Sequence, residues 1–369
     1  MKKIQFSKFT SYGNNFVIVD EVESPVFNEN EKGRFAHFAT NVHFGIGSDN
    51  FLVIQRCTTS VLQAIQQARG YWDEIPDLGE ADFIFRMFEP DGTEAFSCGN
   101  GLMCIANYLF KIYGLESVKI VTEIPTTCPK IINIGTNRDG RSSWANLGRP
   151  RRIASNLFNP EAPTQYDDII LSVDNLDIGF RAHDLQSFPT QTQLRLKGYI
   201  VFTGEPHLVI YPEKNGVMNG FEEVLFAASD YASTSGESDE RRVDFGSWIV
   251  DRIGLALNST YKKIFPAGIS VNFARPVSAK EAEGILEYRC FERGVYKETL
   301  ACGTGAVAVS YISKRLNLIK PGKTTILPYR CRLHEPESQI QVHENESGSC
   351  RIEGFPAMLV KGEFTLNHL

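Results

Sequence analysis

Long apolar runs are missing from this sequence of 369 residues. Nothing in it approaches the roughly eighteen consecutive apolar residues that a membrane-spanning helix needs, so we expect no membrane association. A surplus of basic residues is also missing, because 38 lysines and arginines stand against 44 acidic residues, a formal net charge of -6. Without a basic cluster interleaved with aromatic residues, the sequence gives no reason to expect a nucleic-acid partner.

Paired cysteine motifs are absent as well. The eight cysteines form no Cys-x-x-Cys pair and no histidine-rich cluster, which argues against zinc or any other bound metal. Residues 1–8 include an alternation of apolar and polar side chains, as in a β-strand, and lack the apolar core of a signal peptide. We therefore expect a cytoplasmic protein with reduced thiols. Six of these thiols are interpreted as core or surface filler: Cys57, Cys104, Cys128, Cys290, Cys331 and Cys350.

What the sequence does contain is an internal repeat of a cysteine placed directly before a Gly-x-Gly. The two copies are Ser97–Leu102 (SCGNGL) and Ala301–Ala306 (ACGTGA), and each opens an apolar run at helical spacing. A glutamate, Glu94 or Glu298, stands four residues before each cysteine. The match continues upstream through the dipeptides Phe88-Glu89 and Phe291-Glu292. Such a repeat predicts two similar lobes, each carrying half of a site.

The repeat places a thiol at the N-terminus of a helix twice. Helix-start N–H groups and the helix dipole bind anions and lower the pKa of a nearby thiol. Two such starts that face each other could hold one carboxylate with a sulfur on either side of its α-carbon. One thiolate would remove the α-proton and the opposite thiol would deliver a proton to the other face, with no cofactor. The alternative is a pair of buried structural cysteines.

The remaining pattern favours an α+β fold over a doubly wound parallel sheet, because many short strands surround two central helices. A first lobe over residues 1–124 would carry Cys98, and the C-terminal strand, residues 356–369, would return to it. A second lobe over residues 125–355 would carry Cys302. Insertions of unassigned role lie around residues 56–81 and 212–265.

These motifs resemble the diaminopimelate epimerase family. The resemblance rests on the two Cys-Gly-x-Gly segments, combined with motifs at residues 6–16, 45–49, 91–101, 204–207 and 292–305. It implies two pseudosymmetric lobes, each a small, mainly antiparallel sheet wrapped round a central helix. It also implies an isomerase that epimerises an amino acid by a two-base thiol mechanism without PLP.

The resemblance implies roles for individual residues of this sequence. Cys98 and Cys302 would be the base and acid pair, and His207 with Glu292 would help to generate the reactive thiolate. The α-carboxylate would be gripped by the backbone of Gly99, Asn100, Gly303 and Thr304. The α-amino group would be received by Glu292 and by the backbone around Arg293, and Asn14 would line the pocket.

Departures from the family pattern concern the distal end of the substrate. Glu89, Glu205 and Ser270 occupy positions where the family uses amides, with an arginine, to hold the far end of diaminopimelate. Asn50 stands where Gln or Gly is common. An ionised glutamate accepts hydrogen bonds and repels a carboxylate, so these changes favour a cationic group. Arg293 could pair with one glutamate or still bind a distal carboxylate bidentately.

Several functions therefore remain open. Epimerisation of LL- to meso-diaminopimelate, a step of lysine biosynthesis, is the default that the resemblance implies. The main alternative is a racemase for another, cationic amino acid of the Lys, Orn, Arg or His class. A cofactor-free isomerase of the phenazine-biosynthesis type is disfavoured, since those relatives lack the cysteine pair, and an inactive small-molecule binding protein is disfavoured by the intact thiols. The sequence leaves open a homodimer, and which thiol serves which enantiomer.

Overall fold

The computed structural model describes residues 2–159, 164–177, 195–215, 221–226, 245–278 and 283–366. The chain divides into two compact units, Met1–Arg149 with Ile340–Leu369 and Pro150–Gln339. No helix in the described ranges is both long enough and apolar enough to cross a membrane.

The unit boundaries differ from those predicted from the sequence. Residues 125–149 and 340–355 belong to the first unit, so the boundaries at 124/125 and 355/356 are wrong. The Pro- and Thr-rich segment after residue 124 is an internal connection, because the strand that follows it pairs antiparallel with the strand before it. Strand Cys350–Gly354 pairs with strand Ser143–Gly148, which keeps both in the first unit. The final strand, Ala357–Leu366, pairs with Lys2–Thr10 of the first strand.

The first unit consists of ten strands and three helices among its described residues. In chain order they are β1 (Lys2–Ser11), β2 (Asn14–Glu21), α1 (Glu29–Thr40), β3 (Asn50–Arg56), α2 (Thr59–Arg69), β4 (Phe83–Phe88), α3 (Gly99–Tyr113), β5 (Ser117–Thr122), β6 (Lys130–Thr136), β7 (Ser143–Gly148), and then β16 (Ile340–Glu344), β17 (Cys350–Gly354) and β18 (Ala357–Leu366). The strands pair in the order β18-β1-β2-β3-β4-β5-β6-β7-β17-β16.

The second unit contains eight strands and four α-helices in the residues described. They are β8 (Thr164–Gln165), β9 (Leu171–Asp177), β10 (Arg195–Phe202), β11 (Pro206–Ile210), α4 (Phe221–Phe226), α5 (Phe245–Ser259), β12 (Ser270–Ser278), β13 (Glu283–Glu292), β14 (Lys297–Thr299), α6 (Gly303–Arg315), β15 (Lys323–Pro328) and α7 (Tyr329–Arg332). The strands pair in the order β8-β9-β10-β11-β12-β13-β15, and the short β14 pairs with the end of β13.

The two units share one topology, which confirms the predicted fold class. Strands β18-β1-β2-β3-β4-β5 and β9-β10-β11-β12-β13-β15 follow the same sequence of pairings: antiparallel, antiparallel, parallel, antiparallel, parallel. Each sheet packs around a central helix, α3 in the first unit and α6 in the second. Both helices are apolar on nearly all sides and are buried from their first residue, as expected for a helix enclosed by a sheet.

The described parts of both insertions predicted from the sequence pack onto their own unit. In the first, Leu62, Ile65 and Trp72 join a buried cluster with Ile84 of β4 and Val121 of β5. In the second, α5 packs against β13 and β14. A Cβ atom on Gly254 of α5 would lie 2.1 Å from the ring of Phe291, so the helix can approach the strand this closely because glycine stands there.

Candidate active site

Cys98 occupies the N-cap of α3, where its sulfur faces the helix-start amides. Its backbone is extended (φ -147°, ψ 115°), and its Sγ accepts a hydrogen bond from the Gly101 N–H at 3.4 Å. The residue is half-buried. Asn100, on the first turn, donates from Nδ2 to Oδ1 of Asn14 at 2.6 Å, which brings two predicted site residues together. The cap directs the N–H groups of the helix start and the positive end of the helix dipole towards the sulfur.

Cys302 occupies the same position on α6. Its backbone is again extended (φ -121°, ψ 115°), and its Sγ accepts from the Gly305 N–H at 3.4 Å. The residue is 6% exposed. A Cβ atom on Gly305 would lie 2.5 Å from Oδ1 of Asn272, so the second glycine of the motif lets β12 approach the helix start. The N–H groups of Gly303 and Thr304 lie in the first turn, where a helix offers no backbone acceptor.

A buried arginine anchors the segment before each cysteine. Arg86 donates to both carboxylate oxygens of Glu94, at 2.5 and 2.7 Å, and Arg289 does the same to Glu298, at 2.6 and 2.9 Å. The four side chains are 3% exposed or less. These bidentate pairs explain why a glutamate precedes each cysteine by four residues, since each fixes the chain that leads into a helix start.

One face of β13 lies beneath the Cys302 helix start. Tyr288, Cys290 and Glu292 alternate along the strand and point to the same side. The Tyr288 hydroxyl accepts from the Cys302 N–H at 2.7 Å and donates to the Cys302 carbonyl at 2.9 Å. The sulfurs of Cys290 and Cys302 and a carboxylate oxygen of Glu292 all lie within 4.8 Å of one another. In addition, the Thr299 hydroxyl donates to Glu292.

A directed chain of hydrogen bonds runs from β12 to the Cys302 sulfur. Asn272 Nδ2 lies 3.3 Å from the Leu208 carbonyl, which fixes this end of the amide as the donor, and 3.1 Å from His207 Nδ1, which must therefore accept. The ring proton then resides on Nε2, which donates to Thr304 Oγ1 at 3.0 Å. The Thr304 hydroxyl in turn lies 3.3 Å from Cys302 Sγ and donates to it.

His207 acts in this chain as a neutral donor. Its side chain is fully buried, and burial lowers its pKa to about 3, with the nearby Arg293 cation acting in the same direction. The imidazole therefore stays uncharged at neutral pH and reaches Cys302 through Thr304, not by direct contact.

The surroundings of Cys302 lower its pKa to about 7. The largest cause is the hydrogen bond with Cys290; burial opposes it, while hydrogen bonds with Thr304, the Gly305 N–H and Glu292 act with it. Burial raises the pKa of Cys290 well above its usual range, so Cys290 keeps its proton and is the donor. Cys290, Glu292 and Cys302 are the metal-ligand type side chains of this group in the described ranges, and the two thiols interact as a donor and an acceptor.

The five residues expected to read the far end of a substrate are engaged within their own units. In the first unit, Asn50 donates from Nδ2 to Glu89 Oε2 at 2.7 Å. In the second, Arg293 donates from Nε to Glu205 Oε2 at 2.6 Å, and its Nη2 also pairs with that oxygen. The Arg293 N–H donates to Ser270 Oγ at 3.2 Å. The pairing of Arg293 with Glu205 neutralises the arginine.

Sequence reasoning missed three residues around Cys302. Cys290 was interpreted as filler, whereas its sulfur lies beside the Cys302 sulfur; Tyr288 and Asn272 were not considered as site residues. A signal for Cys290 was present, because the repeat extends upstream as Arg-x-Phe-Glu, with Arg86 and Arg289 in equivalent places. Period-two alternation from Glu292 then directs Cys290 and Tyr288 to the face that carries Glu292.

Comparison with known proteins supports the resemblance found in the sequence. A family model described as diaminopimelate epimerase matches residues 6–124. A protein of Archaeoglobus fulgidus named diaminopimelate epimerase is 28% identical over 320 residues, which are 86% of this chain and 83% of that protein. A protein of the same name from Methanothrix thermoacetophila is 28% identical over 321 residues, 86% of this chain and 84% of that one.

Solved structures with this fold lie at greater distance. A hydroxyproline epimerase from Agrobacterium vitis, with bound trans-4-hydroxy-L-proline, superposes with a TM-score of 0.59 at 13% identity, covering 100% of this chain and 94% of that one. A probable proline racemase from Agrobacterium radiobacter gives a TM-score of 0.55 at 13% identity, covering 99% and 93%. At this level of identity the likeness establishes the fold.

Proposed function

Because this chain is related to the diaminopimelate epimerases over most of its length, we propose that it is an isomerase that inverts an amino-acid α-carbon with Cys98 and Cys302 as its acid–base pair. The observation that carries the proposal is the pair of N-cap cysteines, which have the same backbone geometry and accept the same helix-start N–H. The reaction we propose needs no PLP and no metal, and it takes place in the cytoplasm.

The mechanism follows from what surrounds the two sulfurs. A thiol with a pKa of about 7 is about half ionised at neutral pH, so Cys302 is suited to abstract the α-proton of a bound amino acid. Cys98 then delivers a proton to the opposite face of that carbon, and the reverse reaction exchanges the roles. The α-carboxylate is bound by N–H groups of the two helix starts, Gly99 and Asn100 in one unit and Gly303 and Thr304 in the other. Those N–H groups also stabilise the negative charge that develops on the carboxylate as the proton leaves.

Glu292 and the backbone at Arg293 bind the α-ammonium group in this proposal. The Glu292 carboxylate, oriented by the Thr299 hydroxyl, accepts hydrogen bonds from a cation. Asn14, held by Asn100, contributes to the same substrate pocket. His207 keeps Thr304 oriented towards the sulfur.

Sequence similarity to the diaminopimelate epimerases favours diaminopimelate as the substrate, and the enzyme would then serve lysine biosynthesis. One observation favours a cationic amino acid instead: Arg293 is neutralised by Glu205, and Glu89 adds a second carboxylate at a position where the family has an amide. A distal carboxylate would have to compete with Glu205 for the guanidinium, whereas a distal ammonium or guanidinium group meets only acceptors.

The test is α-proton exchange in D2O, followed by NMR under reducing conditions without PLP. The panel contains LL- and meso-diaminopimelate, both enantiomers of lysine, ornithine, arginine and histidine, and glutamate as an anionic control. Exchange in diaminopimelate alone identifies a family-standard epimerase; exchange confined to a cationic amino acid identifies a racemase. Absence of exchange in every member of the panel contradicts the proposed reaction class.

The variant Glu205→Asn separates the two substrates. Releasing Arg293 from its partner should raise the rate on diaminopimelate relative to lysine by about tenfold, the effect of one charge-assisted hydrogen bond. Glu213→Asn, an exposed glutamate of the same unit, is the matched control. An unchanged preference in Glu205→Asn would mean that this glutamate does not read the substrate.

A further inference from the structure

Cys290 is a second buried thiol beside the reactive one, and the family roles inferred from the sequence leave it without a part. It is 2% exposed and lies on β13 between Tyr288 and Glu292, both of which contact the Cys302 helix start. Tyr288 holds the Cys302 backbone through two hydrogen bonds. Cys290 is the residue of this face whose side chain reaches the sulfur with an S–H group.

The internal repeat gives a comparison for this position. In the repeat, β4 corresponds to β13, because Arg86 matches Arg289 and Phe88 matches Phe291. Met87 is therefore the counterpart of Cys290. The sheet register agrees, because Met87 pairs with Leu52 on β3 as Cys290 pairs with Asn272 on β12. A methionine thioether has no proton to donate. The first unit therefore lacks, at this position, the donor that the second unit has.

The direction of the Cys290–Cys302 hydrogen bond follows from the two environments. The Cys302 sulfur accepts from the Gly305 N–H and the Thr304 hydroxyl, both on α6, and the Cys290 sulfur on β13 lies within 4.8 Å of it. Cys290 is paired in register with Asn272 and Thr299 and is enclosed by buried strands, an environment that favours the protonated form. The shared proton therefore resides on Cys290, and the negative charge on Cys302.

We propose that Cys290 is a positioning residue for the reaction: its S–H donates to the Cys302 sulfur and favours the thiolate form of Cys302 in the resting protein. Cys302 is then the group that first takes the α-proton, and Cys98 begins the cycle as the protonated partner. The inference rests on the proposed two-thiol function for its consequence in catalysis, but the hydrogen bond itself can be measured without any substrate.

The experiment is the pH dependence of alkylation of Cys302 by iodoacetamide, with the modified site read by mass spectrometry. Trypsin separates the thiols, since Cys290 falls in residues 290–293 and Cys302 in residues 298–314. The variants are Cys290→Ala and Cys290→Val, which remove the donor, and Cys290→Ser, which keeps a hydroxyl donor in a side chain of similar size. Cys331→Ala, which removes another buried thiol of the same unit, is the matched control.

We expect the alkylation midpoint of Cys302 to move upward by about one pH unit in Cys290→Ala and Cys290→Val, because a donor to an ionised group is lost. Cys290→Ser should move it by less than half as much, and Cys331→Ala should leave it in place. The midpoint of Cys98 in the same samples should not change. A Cys302 midpoint equal to that of the wild type in both donor-less variants would overturn the proposal, as would an equal shift in the Cys331→Ala control.

Failure of the proposed function would be seen separately. If the midpoint shifts as expected but no amino acid exchanges its α-proton, the hydrogen bond is correct and the reaction class is wrong. If Cys290→Ala does not fold, Cys290→Val decides: an upward shift of about one pH unit supports the donor role, and a midpoint equal to that of the wild type contradicts it.

Discussion

Cys98 and Cys302 sit on nearly the same backbone, with ψ of 115° at each and an N–H three residues ahead donating to the sulfur at 3.4 Å. Their surroundings differ. The first unit has different residues in the equivalent places: Asn100 corresponds to Thr304, Met87 to Cys290, and Phe16 to His207. Asn100 directs its amide to Asn14, whereas Thr304 directs its hydroxyl to the sulfur. Duplication has kept the helix start, and the side chains around it have diverged.

Under the proposed mechanism, this difference would give two similar half-sites different roles in one reaction. Inversion at a carbon needs a base on one side and an acid on the other at the start of each turnover. Two identical half-sites would leave both sulfurs in the same protonation state. In that mechanism, the donor set around Cys302 would leave the resting proton on Cys98. The polar contacts of this donor set come from β11, β12, β13 and α6 of one unit.

Removing either sulfur should have the largest effect. We expect Cys98→Ala and Cys302→Ala each to reduce racemisation by at least about a thousandfold, because each loses an acid–base group. The measurement is loss of optical activity of the preferred substrate, with Cys331→Ala retaining the wild-type rate as the control. A single variant at near wild-type rate would refute the two-base mechanism and would leave just one half-site functional.

The arginine–glutamate pairs are the part of the comparison that should behave alike. Replacing Glu94 or Glu298 by Gln removes the bidentate carboxylate from a buried arginine, which should cost about 3 kcal/mol of unfolding free energy for Glu298 and somewhat less for Glu94, because Arg86 keeps its ion pair with Glu29 at 2.8 Å. Urea unfolding of each variant measures its loss of unfolding free energy. The control is Glu116→Gln, which breaks an exposed pair: the side chains of Glu116 and Arg138 are 55% and 89% exposed. This variant should change the free energy of unfolding by less than about 0.5 kcal/mol. A loss below about 1 kcal/mol in either pair would mean that the two anchors are not equivalent.

His207 should make the stability of the protein depend on pH in a way that Phe16, its counterpart, cannot. The unfolded histidine binds a proton below pH 6.5, while the folded one stays neutral down to about pH 3. The unfolded state therefore gains protons first, and stability falls by about 1.4 kcal/mol per pH unit below 6.5, with no contribution above it. We expect urea unfolding at pH 7.5 and pH 5.0 to show a smaller difference in His207→Gln than in the wild type. His43→Gln, an exposed histidine, should keep the wild-type difference.

Much of this arrangement could be predicted from the sequence, because it is local. The Cys-Gly-x-Gly segments predicted two capped helix starts, and apolar spacing predicted two buried helices; both are present as α3 and α6. The unit boundaries could not be predicted, since β7 belongs to the first unit through its pairing with β17, about two hundred residues further along the chain. Pairing of that kind leaves no local pattern.

The roles of Cys290 and Glu205 also required the structure, for different reasons. Cys290 looks like any buried cysteine until the strand register brings it beside Cys302. Glu205 was singled out from the sequence as a departure from the family pattern, and the sequence allowed it either to pair with Arg293 or to leave the arginine to a substrate. The two side chains are paired in the structure, through a contact between residues 88 positions apart.

Thr304 allows the smallest and most specific test of the comparison, because it is the link between His207 and the sulfur. Thr304→Val keeps the shape of the side chain and removes the hydroxyl, so the rate at pH 7 should fall by about tenfold, equivalent to one lost hydrogen bond to a charged group. The loss should shrink as the pH rises above 7, since the thiolate then forms without assistance, and Thr304→Ser should restore the wild-type profile. Asn100→Ser changes the equivalent residue of the first unit without touching this chain of donors and should leave the shape of the pH profile unaltered. A loss in Thr304→Val that is the same at every pH would show that the hydroxyl positions the substrate and does not ionise Cys302.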